Sequence, residues 1–377
     1  FYNLIGSTFD SPYLTVHNKT EGTIEFTNLL FAPSSQPFDL FDPERKSKIQ
    51  LYINRVFITD EADDLIPKWL RFLRGVVDTP ILDLNVSREM LQQKPAVLKI
   101  KKAITKKIIS ELAKKIKKDE VNYDVFWGNF GRVIKEGLYE DSENRERIIP
   151  LCRFHSLVEN KNISLTNYLD NMPDGQNDIF YLTAEDLGKA KVSPHLEGFN
   201  AKKIDVLILT DPIDDFWIPL MPEYSGKKFV SISRGNVNLD EIKIDEKKKK
   251  KEKDSDYEAL LKEIKSCLDE KVSNVIVSKS LTESPARLIA DENGMDIQME
   301  KMMMMQNPDF EGSPRILEIN IEHALIKSMN KKLESSNDVI SDLALLLFDQ
   351  SKILEGKVPE NLQEFNKRLT KVMQLAI

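Results

Sequence analysis

A highly charged segment, residues 240–254, divides the chain and limits how it can fold. The segment contains seven lysines, six acidic residues and no aromatic residue. Such a composition cannot bury enough apolar surface to offset the entropy lost on folding. We therefore expect a linker or solvated turn there, with separately folded parts before and after it. Residues 247–251 resemble a nuclear-targeting run, but the interleaved acidic residues argue against that role.

The composition is typical of a soluble, charge-rich globular protein. Of the 377 residues, 41% are hydrophobic and 31% are charged, and this length suffices for two or three domains. The formal net charge of −7 does not favour nucleic acids or anionic membranes. No signal peptide and no bilayer-length apolar run is evident, so we expect a cytoplasmic protein with no membrane partner. Cys152 and Cys267 have no histidine at metal-ligand spacing, so neither a disulfide nor a bound metal is expected.

The first part of the chain combines strand and helix patterns. Alternating apolar residues predict a strand over residues 48–59. Apolar residues at helical spacing predict a helix across residues 65–76, with Trp69 in the core. Apolar side chains that recur every four residues predict a packed helix over residues 95–118.

The opposite face of this last helix is strongly basic. Residues 91–118 contain ten lysines and a single acidic residue, Glu111. Recognition of bases needs aromatic or arginine side chains, and this face has neither. We interpret it as a solvated surface, with a weak anionic contact as the alternative, and expect no nucleic-acid partner.

The second part of the chain predicts a small parallel α/β layer. Residues 179–183 and 205–210 have the composition of buried strands, and residues 184–191 between them have that of a helix. Residues 229–233 add a third strand. Strand, helix and strand at this spacing favour parallel pairing.

The third part contains an unusual methionine-rich helix. Methionine side chains are adaptable and suit surfaces that accept many partners. A methionine-packed core or dimer face is the alternative interpretation. The methionines on one stripe of the predicted helix are Met295, Met299, Met302 and Met303.

Two amphipathic helices are predicted at the end of the chain, separated by Gly356 and Pro359. Their apolar surface needs further partners, and a twofold copy would complete a four-helix bundle. We therefore predict a homodimer. The residues expected at its interface are Leu343, Leu346, Leu347, Leu362, Phe365, Leu369 and Val372.

Arg88 is the strongest candidate for chemistry. It lies between a short apolar segment, residues 76–84, and the helix predicted at residues 95–118, so rigid structure should hold it near the surface. Gln92 follows one helical turn later on the same face. A planar guanidinium suits a phosphate oxygen or a carboxylate, and an ordinary pairing with a nearby acid is the alternative. The chain has no glycine-rich phosphate-binding motif, so a phosphate would have to come from elsewhere.

Two long segments carry a resemblance to a known family. Residues 55–78 and residues 84–93, which include Ser-Arg-Glu-Met-Leu-Gln, closely resemble the middle segment of the ninety-kilodalton heat-shock chaperone family. Residues 125–137, 148–156 and 193–197 continue the match. The match is long, nearly gapless and specific.

The resemblance implies a catalytic role for two residues. In that family the arginine of the motif reaches the nucleotide site of a separate N-terminal ATPase domain and stabilises the γ-phosphate of ATP, and the glutamine four residues later assists. These positions are Arg88 and Gln92. ATP with Mg would be bound by that separate domain rather than by this chain.

The resemblance also implies contacts with client proteins. The methionine stripe, Met295 to Met303, coincides with apolar client-contacting positions, and Trp217 matches a client-contacting tryptophan of the bacterial chaperone. Phe216 stands where that chaperone has an acidic residue, so client contact and ordinary packing both remain open for Trp217.

The implied fold is a multi-domain α/β fold of mixed α+β type. Its expected parts are a large α/β sandwich portion of a middle domain at residues 1–157, a smaller α/β portion at 158–240, a linker at 241–254 and a dimerisation and client-contact domain at 255–377.

The implied function is that of an ATP-dependent chaperone that binds unfolded clients. Because the chain starts at Phe1 without an initiator methionine, we expect a fragment that lacks the ATPase domain and does not hydrolyse ATP alone. The alternative is a dimeric protein-binding scaffold without catalysis, in which Arg88 is structural.

Overall fold

The structure is a computed structural model, and it divides the chain into two compact units. The first unit comprises Phe1–Phe154 and Asn162–Thr166, and the second comprises His155–Lys161 and Asn167–Ile377. The residues that the structure describes are 1–6, 10–82, 95–235, 237, 239, 242, 254–291, 294–295, 297–307, 310, 312–333 and 337–375.

The first unit contains a mixed sheet in the order β1-β2-β5-β3-β4. Strands β3 and β5 run parallel, whereas the other neighbouring pairs are antiparallel. The close approach of β2 and β5 requires Gly75, because a Cβ at that position would lie 2.1 Å from the Leu29 carbonyl oxygen. The strands are β1 Pro12–Thr20, β2 Phe26–Pro33, β3 Lys48–Ile53, β4 Val56–Thr59 and β5 Arg74–Thr79.

The strand predicted over residues 48–59 is two strands joined by a tight turn. Asn54 and Arg55 both have positive φ angles, 50° and 66°, which turn the chain back between β3 and β4. The alternation that predicted the strand is present in β3, where Ile49, Leu51 and Ile53 are buried. The pattern therefore identified the buried face but missed the turn.

The helices of the first unit pack against this sheet around aromatic side chains. They are α1 Tyr2–Gly6, α2 Pro95–Lys118, α3 Glu120–Glu140 and α4 Arg145–Ile148. The prediction for α2 is confirmed, since Ile100, Ile104 and Leu112 form its buried face. Asp119 begins α3, where its side chain accepts a hydrogen bond from the Asn122 amide at 3.1 Å.

The helix predicted across residues 65–76 is wrong. Two short 3-10 turns, Asp63–Leu65 and Lys68–Leu70, take its place, and the chain then enters β5. Pro67 disfavours helical geometry in the preceding residue, and Ile66 is accordingly extended at φ −136° and ψ 152°. Trp69 is buried as predicted, and its indole N–H donates to Asp141 Oδ2 at 3.3 Å.

A parallel layer begins the second unit, as the strand and helix pattern predicted. Strand β8 pairs in parallel with both β9 and β11. Along the sheet, β10, β11, β8, β9 and β6 follow one another. In chain order, the elements between residues 154 and 231 are β6 Phe154–Ser156, β7 Asn162–Ile163, which belongs to the first unit, α5 Leu165–Asp170, β8 Asp178–Thr183, α6 Leu187–Lys191, α7 Glu197–Lys202, β9 Leu207–Leu209, α8 Asp214–Trp217, β10 Glu223–Tyr224 and β11 Lys227–Ser231.

A second sheet and five helices complete the described part of this unit. Strand β14 lies between β12, to which it is parallel, and β13, to which it is antiparallel. The elements are α9 Glu258–Leu268, β12 Val272–Val277, β13 Ala286–Ile289, α10 Ile297–Gln306, β14 Arg315–Ile319, α11 Ala324–Lys332, α12 Asn337–Leu354 and α13 Leu362–Leu375.

This sheet shares one apolar core with helices α9, α11 and α12. Leu260 and Ile264 of α9, Leu317 of β14 and Ala344 of α12 are each 0% exposed within it. The mixed α/β, multi-domain fold class expected from the sequence is confirmed. The boundaries proposed at residues 157, 240 and 254 stay predictions.

Candidate functional site

Arg88 and Gln92 lie outside the described residues, so their predicted roles stay predictions. Buried side chains of the first unit occur on both sides of that segment in the chain. Thr79 donates its hydroxyl to the Glu25 carbonyl at 2.7 Å, and Leu82 and Val97 are 4% and 1% exposed.

The methionine-rich helix α10 is held in place by polar side chains. Glu300 is 2% exposed, and its carboxylate accepts hydrogen bonds from the Arg315 guanidinium and from the Ser313 amide, the latter at 2.8 Å. The adjacent Lys301 donates to the Glu355 carbonyl at 2.6 Å and to Glu185 Oε1 at 3.3 Å. These two residues therefore attach α10 to the rest of the unit through polar contacts.

Several methionines of α10 therefore keep part of their surface in solvent. Met299, Met302 and Met303 are half-buried, and Met305 is 80% exposed. Met295, which precedes the helix, is also half-buried, and its carbonyl accepts from Arg315 at 3.4 Å. A partly exposed row of flexible thioether side chains fits a surface that adapts to varied partners.

Met305 was not among the predicted site residues. It nevertheless lines a groove of ≈ 240 Å³ together with Met302, Ala184 and Leu209. Its spacing of three residues from Met302 was the available signal, since residues i and i+3 share a helix face.

Trp217 packs inside the second unit. The side chain is 0% exposed, and its indole N–H donates to Asp214 Oδ1 at 2.7 Å. Its ring packs edge-on against the ring of Phe229, with 5.5 Å between the ring centroids. Of the two interpretations left open, this geometry favours packing. Client contact by Trp217 stays a prediction, and it would require the indole to leave this position.

A buried carboxyl group lies close to the anchored end of α10. Burial raises the pKa of Glu355, although Lys357 lies 3.6 Å away. Burial likewise lowers the pKa of Lys357. Burial thus works against both charges of this pair, which lies next to the contact between Lys301 and the Glu355 carbonyl.

The two terminal helices each keep apolar side chains partly in solvent. Asp342 of α12 and Lys371 of α13 hold the helices together at 2.5 Å. Leu347 is only 2% exposed because it belongs to the core of its own protomer, so it has little surface left for an interface. The other predicted interface residues, Leu343, Leu346, Leu362, Phe365, Leu369 and Val372, are half-buried or exposed.

In the described part of the chain, no group of three or more histidine, cysteine or acidic side chains is placed to hold a metal ion. Among the same residues, no helix combines the length and hydropathy needed to cross a membrane.

Comparison with known proteins decides the family. The family model described as Hsp90 protein matches residues 1–377. The chain belongs to the Hsp90 protein family. Among curated Hsp90-type relatives, Chaperone protein HtpG of Roseobacter denitrificans is 44% identical over 384 residues, which is 100% of this chain and 62% of the relative.

Two further HtpG relatives give the same result. The proteins from Rickettsia canadensis and Paramagnetospirillum magneticum are each 44% identical over 380 residues and cover 100% and 99% of this chain. This Hsp90 chain spans 61% of the length of each of them.

Proposed function

We propose that this chain is the middle and C-terminal portion of an ATP-dependent molecular chaperone that binds unfolded or partly folded clients. The observation that carries the proposal is helix α10, in which Glu300 and Lys301 provide the attachment while the methionines stay partly exposed. The chaperone names of the HtpG relatives support it.

Met295, Met299, Met302 and Met303 are proposed to contact clients. Each buried thioether side chain contributes a favourable transfer energy, and its flexibility lets it fit differently shaped apolar groups. Trp217 is proposed as a conditional contact, available only when its segment rearranges.

Arg88 and Gln92 are proposed to act on ATP bound by a separate N-terminal domain. Bound ATP with Mg would supply the γ-phosphate, and the Arg88 guanidinium would stabilise charge on it while Gln92 helps to orient the group. The buried side chains of Thr79, Leu82 and Val97, on either side of these residues in the chain, support the proposal. Arginines in such positions accelerate phosphoryl transfer by about 10³–10⁵-fold.

A homodimer through α12 and α13 completes the proposal. Apolar side chains spread over both helices, including Leu362 at 55% exposed, support pairing with a second copy. Sedimentation or light scattering of the chain should give a dimer. A monomer at all accessible concentrations would contradict this part.

Client binding is tested by light scattering of a heat-denatured model client. The change Met299→Ser with Met302→Ser and Met303→Ser should weaken the suppression of aggregation several-fold, because each substitution removes apolar contact area. Met172→Ser, which alters a half-buried methionine elsewhere in the second unit, is the matched control. Equal suppression by the triple variant and the control would refute the role of α10.

The role of Arg88 is tested in the protein extended upstream by a nucleotide-binding domain. Arg88→Ala should reduce ATP turnover by about 10³-fold, and Arg88→Lys should restore only part of it, because an ammonium cannot make the bidentate contact. Turnover unchanged by Arg88→Ala would favour the non-catalytic scaffold.

A further inference from the structure

We propose that a movable joint connects the parallel layer of the second unit to its second sheet, and that the carboxylate of Glu197 holds this joint closed. The parallel layer is the sheet that contains β8, β9 and β11, together with α6 and α7, and the second sheet consists of β12, β14 and β13. The proposal concerns the chain by itself and does not depend on client binding or on ATP.

The two sides of the joint have separate apolar cores. The core of the parallel layer includes Leu182 and Phe199, and that of the second sheet includes Leu288 and Leu317. Among the residues that the structure describes, no buried side chain belongs to both cores. A large apolar interface is what mainly restricts the relative motion of two folded parts. The closed position of this joint therefore depends on other contacts.

A short backbone contact provides the hinge of the joint. The amide of Ala290, the residue after β13, donates to the Ser233 carbonyl at 2.9 Å, and the Ala290 carbonyl accepts from the Gly235 amide at 3.0 Å. Arg234 and Ala290 accordingly form a parallel bridge. A bridge of this length joins the two sides at one point, and a few backbone angles next to it can absorb a rotation.

Glu197, the first residue of α7, provides the contact that holds the joint closed. Its carboxylate accepts hydrogen bonds from three successive backbone amides, those of Thr282 at 2.9 Å, Glu283 at 2.8 Å and Ser284 at 3.1 Å. Burial works to raise the pKa of Glu197, but hydrogen bonds from these residues outweigh it and lower the pKa. The carboxyl group is therefore ionised at neutral pH, and hydrogen bonds to an ionised acceptor are the stronger kind.

The two sides also approach closely beside this contact. A Cβ at position 198 would lie 2.5 Å from the Ser280 carbonyl oxygen, so Gly198 allows α7 to lie against the loop that carries the three amides. Arg287 of β13 donates to the carbonyl of Pro194, three residues before Glu197, at 3.3 Å. Residues 194–198 and 280–287 thus form a second attachment, distant in the chain from the bridge at Arg234.

A cavity lies between the two sides. Its volume is ≈ 270 Å³, and its lining includes Leu182 and Ala190 of the parallel layer and, from the other side, Leu288 of β13 and Leu354 of α12. A well-packed interior keeps few voids larger than a water molecule, which occupies about 30 Å³. The joint is incompletely packed, so a rotation there loses little apolar contact.

Opening of the joint changes the surroundings of the methionine-rich helix. Helix α10 is attached to β14 through Glu300, whereas Lys301 pairs with Glu185, the second residue after β8, at 3.3 Å. Opening breaks this pair and changes the width of the groove beside Met302. The position of Glu197 therefore controls how much of α10 is covered by the parallel layer.

Double electron–electron resonance between two spin labels measures the joint directly. The labels are attached through Lys228→Cys on β11 and Lys331→Cys on α11, both exposed, in a chain that also carries Cys152→Ala and Cys267→Ala. Dilution with unlabelled chain removes distances between copies. Glu197→Ala should produce a second, shifted distance population, enriched about tenfold or more over the unaltered chain, because the loss of one hydrogen bond to a charged group already corresponds to about a factor of ten.

Three further variants separate the Glu197 contact from its surroundings. Glu283→Ala removes an exposed carboxylate from the same loop but keeps the backbone amide, so the distance distribution should not change. Gly198→Ala should open the joint as Glu197→Ala does, because the added Cβ meets the Ser280 carbonyl. Gly128→Ala, where a Cβ would meet nothing within 4 Å, is the control for that substitution.

Hydrogen exchange distinguishes an open joint from general unfolding. In Glu197→Ala the amides of residues 282–284 should exchange about tenfold faster or more, while the amides of β8 and β14 keep their protection. An unchanged distance distribution together with faster exchange at residues 282–284 would overturn the proposal, because Glu197 would then only hold a loop in place. Loss of protection in both sheets would also overturn it, because the two cores would then depend on the joint.

Discussion

Replacing Glu300 by alanine should detach the methionine-rich helix from strand β14. Glu300 and its partner Arg315 have side chains that are only 3% and 8% exposed, and the carboxylate also accepts from the Ser313 amide at 2.8 Å. The substitution removes both interactions at once and leaves the guanidinium buried without its carboxylate partner.

The magnitude follows from this burial. Removing one member of a buried ion pair costs about 3–5 kcal/mol, because the remaining charge is not solvated. An exposed pair such as Lys114 with Glu111, at 2.8 Å, contributes only about 0–1 kcal/mol, so Lys114→Ala is a control for the loss of a pair as such. Replacing both buried partners, with Glu300→Leu and Arg315→Met, should cost far less than Glu300→Ala alone.

Hydrogen exchange measured by mass spectrometry is the suitable assay, because it reports the local opening of α10 rather than the unfolding of the whole chain. Amides of α10 should exchange at least about a hundredfold faster in the Glu300→Ala variant, or lose protection altogether, since about 1.4 kcal/mol corresponds to a factor of ten. Amides of α2 should be unchanged. An increase of less than about threefold in the exchange rate of α10 amides would refute the reasoning. So would equally fast exchange in Glu300→Ala and in the double variant Glu300→Leu with Arg315→Met.

Three further predictions follow from particular contacts. Burial raises the pKa of Glu355, so the stability that its protonated form contributes is present below the unfolded-state pKa and is lost as pH rises through the folded-state pKa. In calorimetry, the fall in Tm between pH 4 and pH 7 should therefore be smaller for Glu355→Gln than for the unaltered chain, and an equal fall would contradict this. In chemical denaturation, Gly75→Ala should lower the free energy of unfolding by about 2 kcal/mol or more beyond the loss caused by Gly22→Ala. Both glycines have positive φ, but only at position 75 would a Cβ lie 2.1 Å from a carbonyl oxygen. Equal losses for the two variants would contradict this. Trp217→Phe should lower stability by about 1–3 kcal/mol, because a buried aspartate loses its indole donor, and an unchanged denaturation midpoint would argue against that bond.

Local sequence pattern predicted the regular elements of the fold well. Helix α2 and the parallel pairing of β8 with β9 follow directly from the spacing of apolar residues. The pattern failed where apolar spacing fits more than one backbone path. Pro67 breaks the helix expected at residues 65–76, and strand pairing takes Val76 into β5.

The end of the chain shows a similar limit. Gly356, with φ 79°, lies after α12 as predicted, but α13 begins at Leu362 rather than near Pro359. Asn361 is the residue that caps α13, because its side-chain oxygen accepts from the Glu364 amide at 3.0 Å. The sequence contains both Pro359 and Asn361 as possible starting points of this helix. Only the hydrogen bond seen in the structure identifies Asn361 as the one that is used.

The candidate site was predicted in part. Sequence spacing identified the methionine stripe, but it could not show that Met305 is its most exposed member or that Leu347 belongs to the core of its own protomer. Side-chain exposure depends on which distant elements cover a helix face, and this information is not local.

By itself the sequence determined the family, the mixed α/β class, the positions of most helices and strands and the concentration of methionines in one helix, because these depend on short-range spacing and on residue identity. Only the tertiary structure decided that Glu300 and Arg315 share a buried contact, that Trp217 is fully enclosed, and that Met302 and Met305 line one groove with Ala184 and Leu209. These arrangements depend on which separate elements cover a side chain, and their energies depend on burial that arises only when the whole unit has folded.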